Sequence, residues 1–104
     1  IMGNQISNNG DHGISSVSSS QNLIQGNYSY SNGDNNTNGC GFYIDGASHD
    51  NLIVGNIGHT NDGYGAQIIA GAQRNSLIGN SFINNEDGAI SDAGTATINE
   101  HNQN

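Results

Sequence analysis

The chain has 104 residues, of which 32% are hydrophobic and 10% are charged, and its formal net charge is -8. So short a chain forms one small domain at most, and so low a hydrophobic fraction excludes a globule with a large closed core. Arg74 is the only Lys or Arg, which excludes nucleic acid as an expected partner because phosphates need basic side chains. No apolar run approaches the length of a membrane span, so we expect no membrane partner.

A Gly-Asn pair marks the start of each predicted repeat along the chain. The pairs begin at Gly3, Gly26, Gly55 and Gly79, in steps of 23, 29 and 24 residues, and self-similarity at such a period is typical of a solenoid. In every repeat one strand follows Gly-Asn, a turn rich in Asn, Asp and Gly ends it, and a second strand follows a Gly. A third strand carries an Asn-x-aliphatic motif. We therefore predict four coils of three short strands, beginning near residues 3, 26, 55 and 79, with 95–104 as a partial cap or tail.

Stacked coils predict columns of like side chains along the solenoid axis, at a strand spacing of about 4.8 Å. We predict one interior column of Ile24, Ile53 and Leu77, and another of Ile14, Phe42, Ala66 and Ala89. Asparagine amides both donate and accept hydrogen bonds, so repeated Asn residues can form ladders. The two ladders we predict contain Asn22, Asn51 and Asn75, and Asn27, Asn56 and Asn80.

Repeats of Gly-Asn-x-Ile, Gly-Ile and Asn-x-Ile in coils of this length resemble the right-handed β-helix of the pectin-lyase-like superfamily, including NosD-type repeats. The resemblance covers nearly the whole chain and implies an all-β fold, a right-handed single-stranded parallel β-helix. About four coils give a short stack, which favours a segment of a longer solenoid. We expect an extracellular or cell-surface location and polysaccharide as a partner, and the short stack predicts flanking β-helix coils or other subunits as further partners.

The stretch from Asn27 to Asn56 is similar, more narrowly, to the catalytic coils of mannuronan C5-epimerases. Tyr30 and the Ser48-His49-Asp50 sequence match that family's motif, whereas Asp34 lies one residue late for the motif Asp and Cys40 stands where the motif has His. The resemblance implies an epimerase or lyase groove. We expect its catalytic residues to be Tyr30, Asp34, His59 and Asp62.

Aromatic residues in the first strands of the second and third coils predict a binding surface. If Ile6 and Phe82 point inward, strand alternation sends one group of side chains outward: Tyr28, Tyr30, Ile57, His59 and Ile83. Sugar rings stack well on such aromatics, and we assign substrate binding to Tyr28, Tyr30 and His59. In the alternative interpretation the register shifts by one residue, and Tyr28 and Ile57 belong to the core. We expect His12 to be an ordinary surface imidazole.

Acidic residues recur seven or eight places after each repeat glycine: Asp11, Asp34, Asp62, Glu86 and Asp87. Stacked carboxylates repel one another unless water or a cation intervenes. We therefore weigh a calcium site formed by Asp11, Asp34, Asp62 and Asp87 against a solvated acidic edge that keeps the protein soluble.

Extra residues lengthen the first turn of the second coil, "GDNNTNGCG" at 33–41. Long loops on rigid solenoids often line binding sites, and drift in loop length is the alternative. Cys40 is interpreted as a small turn or core residue rather than a reactive thiol. Two glycosylation sequons, at 27–29 and 35–37, are ascribed to the abundance of Asn.

Three functional classes follow from these features. The first is a polysaccharide-recognising β-helix that forms part of a uronate epimerase or lyase. The second is a noncatalytic glycan-binding module like a tailspike or adhesin, and the third is a structural spacer. Uronate chemistry needs a cation to stabilise the developing anion, and the sequence offers only Arg74. Polysaccharide recognition, with catalysis undecided, is therefore the prediction.

Overall fold

A computed structural model describes residues 1–34 and 37–104. Its strands, in chain order, are β1 (Gln5–Ser7), β2 (Ile14–Ser16), β3 (Leu23–Gln25), β4 (Tyr28–Tyr30), β5 (Phe42–Ile44), β6 (Leu52–Val54), β7 (Ile57–His59), β8 (Tyr64–Ile68), β9 (Ser76–Ile78), β10 (Ser81–Ile83), β11 (Gly88–Asp92) and β12 (Ile98–Glu100). Within the described part of the chain, no helix is long and apolar enough to cross a membrane.

The strands form three parallel sheets, to which each coil contributes one strand apiece. The first sheet has the order β1-β4-β7-β10, the second β2-β5-β8-β11, and the third β3-β6-β9-β12. This arrangement confirms the predicted parallel β-helix of about four coils. Near the C-terminus β12 continues the third sheet, and Gln103 pairs with Ser81 of the first sheet.

The corner between the third and first sheets explains the glycine of each Gly-Asn pair. Gly3, Gly26, Gly55 and Gly79 all have φ between 61° and 64°, and a Cβ placed on any of them would have no atom within 4 Å. Space is therefore not what selects glycine here. Glycine adopts this left-handed backbone readily, whereas it costs other L-residues roughly 1–2 kcal/mol, and the equivalent position before Asn102 holds His101 at φ 55°.

One predicted interior column is confirmed and the other is wrong at its last member. Ile24, Ile53 and Leu77 are register partners in the third sheet, and all three are buried. In the second sheet Ile90, not Ala89, pairs with Ala66. The sequence interpretation aligned Gly88 with the glycines that precede the other second-sheet strands, but Gly88 pairs with Tyr64, so the fourth coil is displaced by one residue.

The first sheet keeps one register through all four coils. Ile6 pairs with Ser29, Ser29 with Gly58, and Gly58 with Phe82, and these positions point to the interior. A Cβ on Gly58 would lie 3.0 Å from the Phe82 ring and 3.4 Å from the Phe42 ring, so small residues leave room for the two phenylalanines. The alternative interpretation, with Tyr28 and Ile57 in the core, is wrong, because both side chains point outward.

Asparagine ladders follow the corners, and the two predicted ladders are confirmed. The Nδ2 of Asn27 donates to Oδ1 of Asn56 at 3.1 Å, and the Asn27 backbone N–H donates to the same oxygen at 2.9 Å. The Nδ2 of Asn56 in turn donates to the Ile24 carbonyl at 2.9 Å. The ladder through Asn51 repeats this pattern. Each such bond contributes about 0.5–1.5 kcal/mol net.

A third ladder, which the sequence interpretation missed, contains Asn9, Asn32, Asn61 and Asn85. Its members stand five residues after the Asn of each Gly-Asn pair, so a signal for it was present in the spacing. In the described part of the chain, every buried side-chain nitrogen and oxygen has a hydrogen-bond partner. Hydrogen bonds along the polar ladders thus supply stabilisation that a larger apolar core would otherwise provide.

Candidate functional site

Three rings on the outer surface of the first sheet form what we call the aromatic cluster: Tyr28, Tyr30 and His59. Strand pairing sets Tyr30 beside His59 and Tyr28 beside Ile57. The ring centroids of Tyr28 and Tyr30 are 4.8 Å apart, and those of Tyr30 and His59 are 5.6 Å apart with planes 10° from parallel. All three side chains are half-buried. The predicted substrate-binding residues are therefore brought together.

Hydroxyl and amide groups surround the aromatic cluster. The Tyr28 hydroxyl contacts Nε2 of His59, and Oγ1 of Thr60 lies 3.1 Å from Nδ1 of the same ring. Hydroxyls can both donate and accept, so they satisfy the imidazole whichever nitrogen carries its proton. On the other side Gln5 donates from Nε2 to the Tyr30 hydroxyl at 2.9 Å. The cluster thus presents apolar ring surface edged by polar groups.

A second stack of His and Tyr lies where the first turn enters the second sheet. The rings of His12 and Tyr43 are 4.1 Å apart and 6° from parallel, and the Cys40 backbone N–H donates to Nδ1 of His12 at 2.9 Å. Only 17% of the His12 side chain is exposed. The interpretation of His12 as an ordinary surface imidazole is therefore wrong, since its accepting nitrogen holds the backbone in place.

Burial changes the acid–base chemistry around this second stack. It lowers the pKa of His12, although the nearby Asp11 carboxylate acts in the opposite direction. Burial also raises the pKa of the Cys40 thiol to about 11, so this thiol is protonated at neutral pH. The thiol donates to Oε1 of Gln67 at 3.4 Å. These features agree with the interpretation of Cys40 as a core residue.

The acidic residues do not line up as the single predicted column. Asp62 donates its backbone N–H to the Asn32 carbonyl, which sets it beside Gly33 rather than beside Asp34. Oδ1 of Asp34 accepts from the Thr37 hydroxyl at 3.4 Å, and Oδ2 of Asp87 accepts from Nδ2 of Asn38 at 3.1 Å. Among residues 1–34 and 37–104, no group of three or more His, Cys, Asp or Glu side chains is placed to hold a metal ion. Calcium at these positions stays a prediction.

Two further sequence predictions concern positions away from the aromatic cluster. Arg74 donates to both carboxylate oxygens of Asp50, at 2.8 Å each, which lowers the pKa of that carboxyl. This ion pair precedes β6 and β9, so the single basic side chain lies beside the third sheet. The long turn at 33–41 and the sequon at 35–37 include Asn35 and Asn36, which lie outside the described residues. The roles predicted for that turn therefore stay predictions.

The fold and the aromatic cluster define a class of protein: a parallel β-helix with asparagine-laddered corners and an aromatic outer surface on one sheet. A family model described as periplasmic copper-binding protein (NosD) matches residues 1–104, and the chain belongs to this NosD family. Neither the curated proteins nor the solved structures include a match. The family description places its members in the periplasm, which agrees with the predicted extracellular location only in the coarse sense of lying outside the cytoplasm.

The described residues do not fit the copper site that the family description implies. Copper favours imidazole nitrogens and sulfur ligands, yet Cys40 is fully buried and His12 uses Nδ1 to accept a backbone N–H. Both ring nitrogens of His59 contact hydroxyls. His49 stands apart, with Nδ1 2.8 Å from Asp50. We therefore assign no copper ligand in this part of the chain.

Proposed function

We propose that this β-helix recognises polysaccharide on the outer surface of its first sheet, by stacking sugar rings on the aromatic cluster. The single observation that carries the proposal is the convergence of Tyr28, Tyr30 and His59 from two coils. Aromatic side chains with an apolar face and a polar edge suit sugars, whose own rings combine C–H faces with hydroxyl edges. Gln5 and Thr60 supply hydrogen-bonding groups at that edge.

Charge favours a neutral polysaccharide over a uronate. The chain carries a formal net charge of -8, and its one strongly basic side chain, Arg74, is held by Asp50 beside the third sheet. An anionic chain on the first sheet would meet no strongly basic side chain there, and acidic residues occupy the adjoining turn. The ligand class we propose is therefore an uncharged glycan outside the cytoplasm.

Catalysis is the second candidate, supported by the sequence similarity around Tyr30 and by the short distance between Tyr30 and His59. Uronate epimerisation or lysis requires a base, an acid and a cation for the sugar carboxylate. Tyr30, Asp34, His59 and Asp62 supply candidates for the first two roles only. A calcium ion shared by protein and sugar would have to supply the third. Binding without turnover is the function that these residues favour.

Glycan binding is tested by calorimetric titration of the chain with neutral glucans, mannans and galactans, and with alginate and pectate, each with and without Ca²⁺. We expect binding to at least one neutral glycan without formation of unsaturated product. Tyr30→Ala should raise the Kd by up to about tenfold, because loss of one stacking ring costs about 0.5–1.5 kcal/mol.

Tyr64→Ala is the matched control, since Tyr64 is a half-buried tyrosine of the second sheet, and it should leave the Kd unchanged. Absence of binding to every glycan, or equal effects of the two substitutions, would refute the proposal. Turnover of a uronate that depends on Tyr30 would instead establish the enzyme.

A further inference from the structure

Three Asn-Gly sequences occur in the chain, and they begin at Asn9, Asn32 and Asn38. Such a sequence can lose ammonia without an enzyme. The glycine backbone nitrogen attacks Cγ of the asparagine, a succinimide ring closes, and Nδ2 leaves as ammonia with the proton that the glycine nitrogen gives up. One water molecule then opens the ring to aspartate or isoaspartate. Glycine permits the attack because it has no side chain to hinder it.

The fold holds the Asn32 sequence against this reaction. Attack requires an asparagine side chain that can turn toward the next backbone nitrogen, and a glycine N–H that no acceptor holds. Asn32 is buried, and its Nδ2 donates to Oδ1 of Asn61 at 2.9 Å and to Oγ of Ser29 at 3.1 Å. The N–H of Gly33 donates to the Asn9 carbonyl at 2.9 Å. Asn32 therefore meets neither requirement.

The Asn38 sequence is held at its glycine. The Asn38 side chain is exposed and donates to Oδ2 of Asp87 at 3.1 Å. Gly39, however, is buried, and its N–H donates to the Thr37 carbonyl. A Cβ placed on Gly39 would lie 2.5 Å from the backbone nitrogen of Gly33. This tightly packed backbone leaves no room for ring closure.

The Asn9 sequence meets both requirements. Asn9 and Gly10 are exposed, and the Asn9 side chain must release only the bond from its Nδ2 to Oδ1 of Asn32. Among residues 1–34 and 37–104, no acceptor holds the Gly10 N–H. The Asn9 carbonyl accepts from Gly33, and this bond makes the Gly10 N–H more acidic because both groups belong to one peptide unit.

We infer that Asn9 is a site of spontaneous deamidation, which the fold selects from the three Asn-Gly sequences, and that its conversion weakens the third ladder. The product carries a carboxylate in place of the amide, so it has no N–H to donate to Oδ1 of Asn32. Isoaspartate also adds a methylene to the main chain, which displaces the carbonyl that accepts from Gly33. Either product adds a negative charge two residues from Asp11.

Peptide mass spectrometry of the chain, held at mildly alkaline pH, tests the site. Cleavage before Asp separates the three sequences into peptides 1–10, 11–33 and 34–44. In the folded chain we expect Asn9 to deamidate at least about tenfold faster than Asn32 or Asn38, because fewer hydrogen bonds must break. In urea the three rates should be similar, since the fold no longer protects two of them.

Gly10→Ala tests the chemistry at the same site. A Cβ on Gly10 would have its nearest atom, Oδ2 of Asp34, at 3.9 Å, so alanine fits, and circular dichroism establishes that the variant is folded. We expect slower deamidation of Asn9, because the methyl group hinders the attacking nitrogen. Equal rates at the three sites of the folded chain, faster reaction at Asn32 or Asn38, or an unchanged rate in Gly10→Ala would each overturn the site.

Asn9→Asp tests the consequence for the third ladder, and it should lower the midpoint of urea unfolding. Asn8→Asp is the matched control, since it adds the same charge one residue away. The Nδ2 of Asn8 donates to Oγ of Ser7, outside the ladder, so its substitution should leave the midpoint nearly unchanged. Equal effects of the two substitutions would overturn the claim that deamidation acts through the ladder.

Discussion

Two stacks of His on Tyr lie on different sheets of this solenoid, and they differ in what holds them. His12 packs on Tyr43 at 4.1 Å and accepts a backbone N–H from Cys40. His59 packs on Tyr30 at 5.6 Å, and its nitrogens contact the side-chain hydroxyls of Tyr28 and Thr60.

The same pair of residue types therefore has two roles. The His12–Tyr43 stack is part of the architecture, because its removal leaves a backbone donor without an acceptor. In the aromatic cluster the hydrogen-bond partners are side-chain hydroxyls that can rotate toward a ligand. Contact with the main chain, rather than residue type, separates the structural pair from the one we assign to binding.

The largest effect is expected for His12→Ala, which should lower the free energy of unfolding by about 2–4 kcal/mol. Loss of the acceptor for the Cys40 N–H costs roughly 1–3 kcal/mol, and loss of the ring stack adds about 0.5–1.5 kcal/mol. Urea unfolding measures the change. His12→Asn is the control, since its Oδ1 can accept the same N–H and should restore part of the loss. Full stability of His12→Ala would erase the distinction between the stacks.

A smaller change in stability, under about 1 kcal/mol, is expected for His59→Ala. Among residues 1–34 and 37–104, no backbone group is hydrogen-bonded to this ring, and surface substitutions of this kind have small effects. His59→Ala should instead weaken glycan binding, with a Kd raised several-fold in calorimetric titration. A loss of stability as large as that of His12→Ala would mean that the aromatic cluster is structural too.

The smallest effect is expected for the pH dependence of stability, to which His12 contributes. Burial lowers the pKa of folded His12, whereas the unfolded imidazole has the ordinary value of about 6.5. Between these two values the unfolded chain binds more protons, so stability is complete above about pH 6.5 and declines as the pH falls toward the folded pKa.

Urea unfolding between pH 8 and pH 5 measures this decline in stability. The decline should be shallower in His12→Asn, because that variant lacks the contribution of the His12 imidazole. The pKa of Asp50 is also lowered, but its contribution is lost only below about pH 4. An identical slope in His12→Asn would show that other groups cause the decline.

Much of the architecture was predictable, because the chain repeats the same local solution in every coil. Gly-Asn spacing predicted the coils, and Asn22 and Asn27 with their equivalents predicted two ladders, since stacking in register brings identical residues together. The third ladder, through Asn32 and Asn61, had the same regular spacing and could have been found. Ala89 was placed wrongly because a glycine near a strand does not by itself define the register.

The candidate site was predicted less completely. Alternation along a strand predicted the outward Tyr30 and His59, but it left Tyr28 undecided, because only packing of Phe42 and Phe82 against Gly58 fixes that register.

By itself, the sequence determined the period, the glycine corners and the amide ladders, because each of these depends on conformational preference or on a residue meeting its own equivalent in the next coil. The tertiary structure alone decided which residues contact each other when they are not equivalent positions of the repeat. The pairing of His12 with Cys40 and Tyr43 depends on distances across first turns of unequal length. No repeat in the sequence encodes those distances.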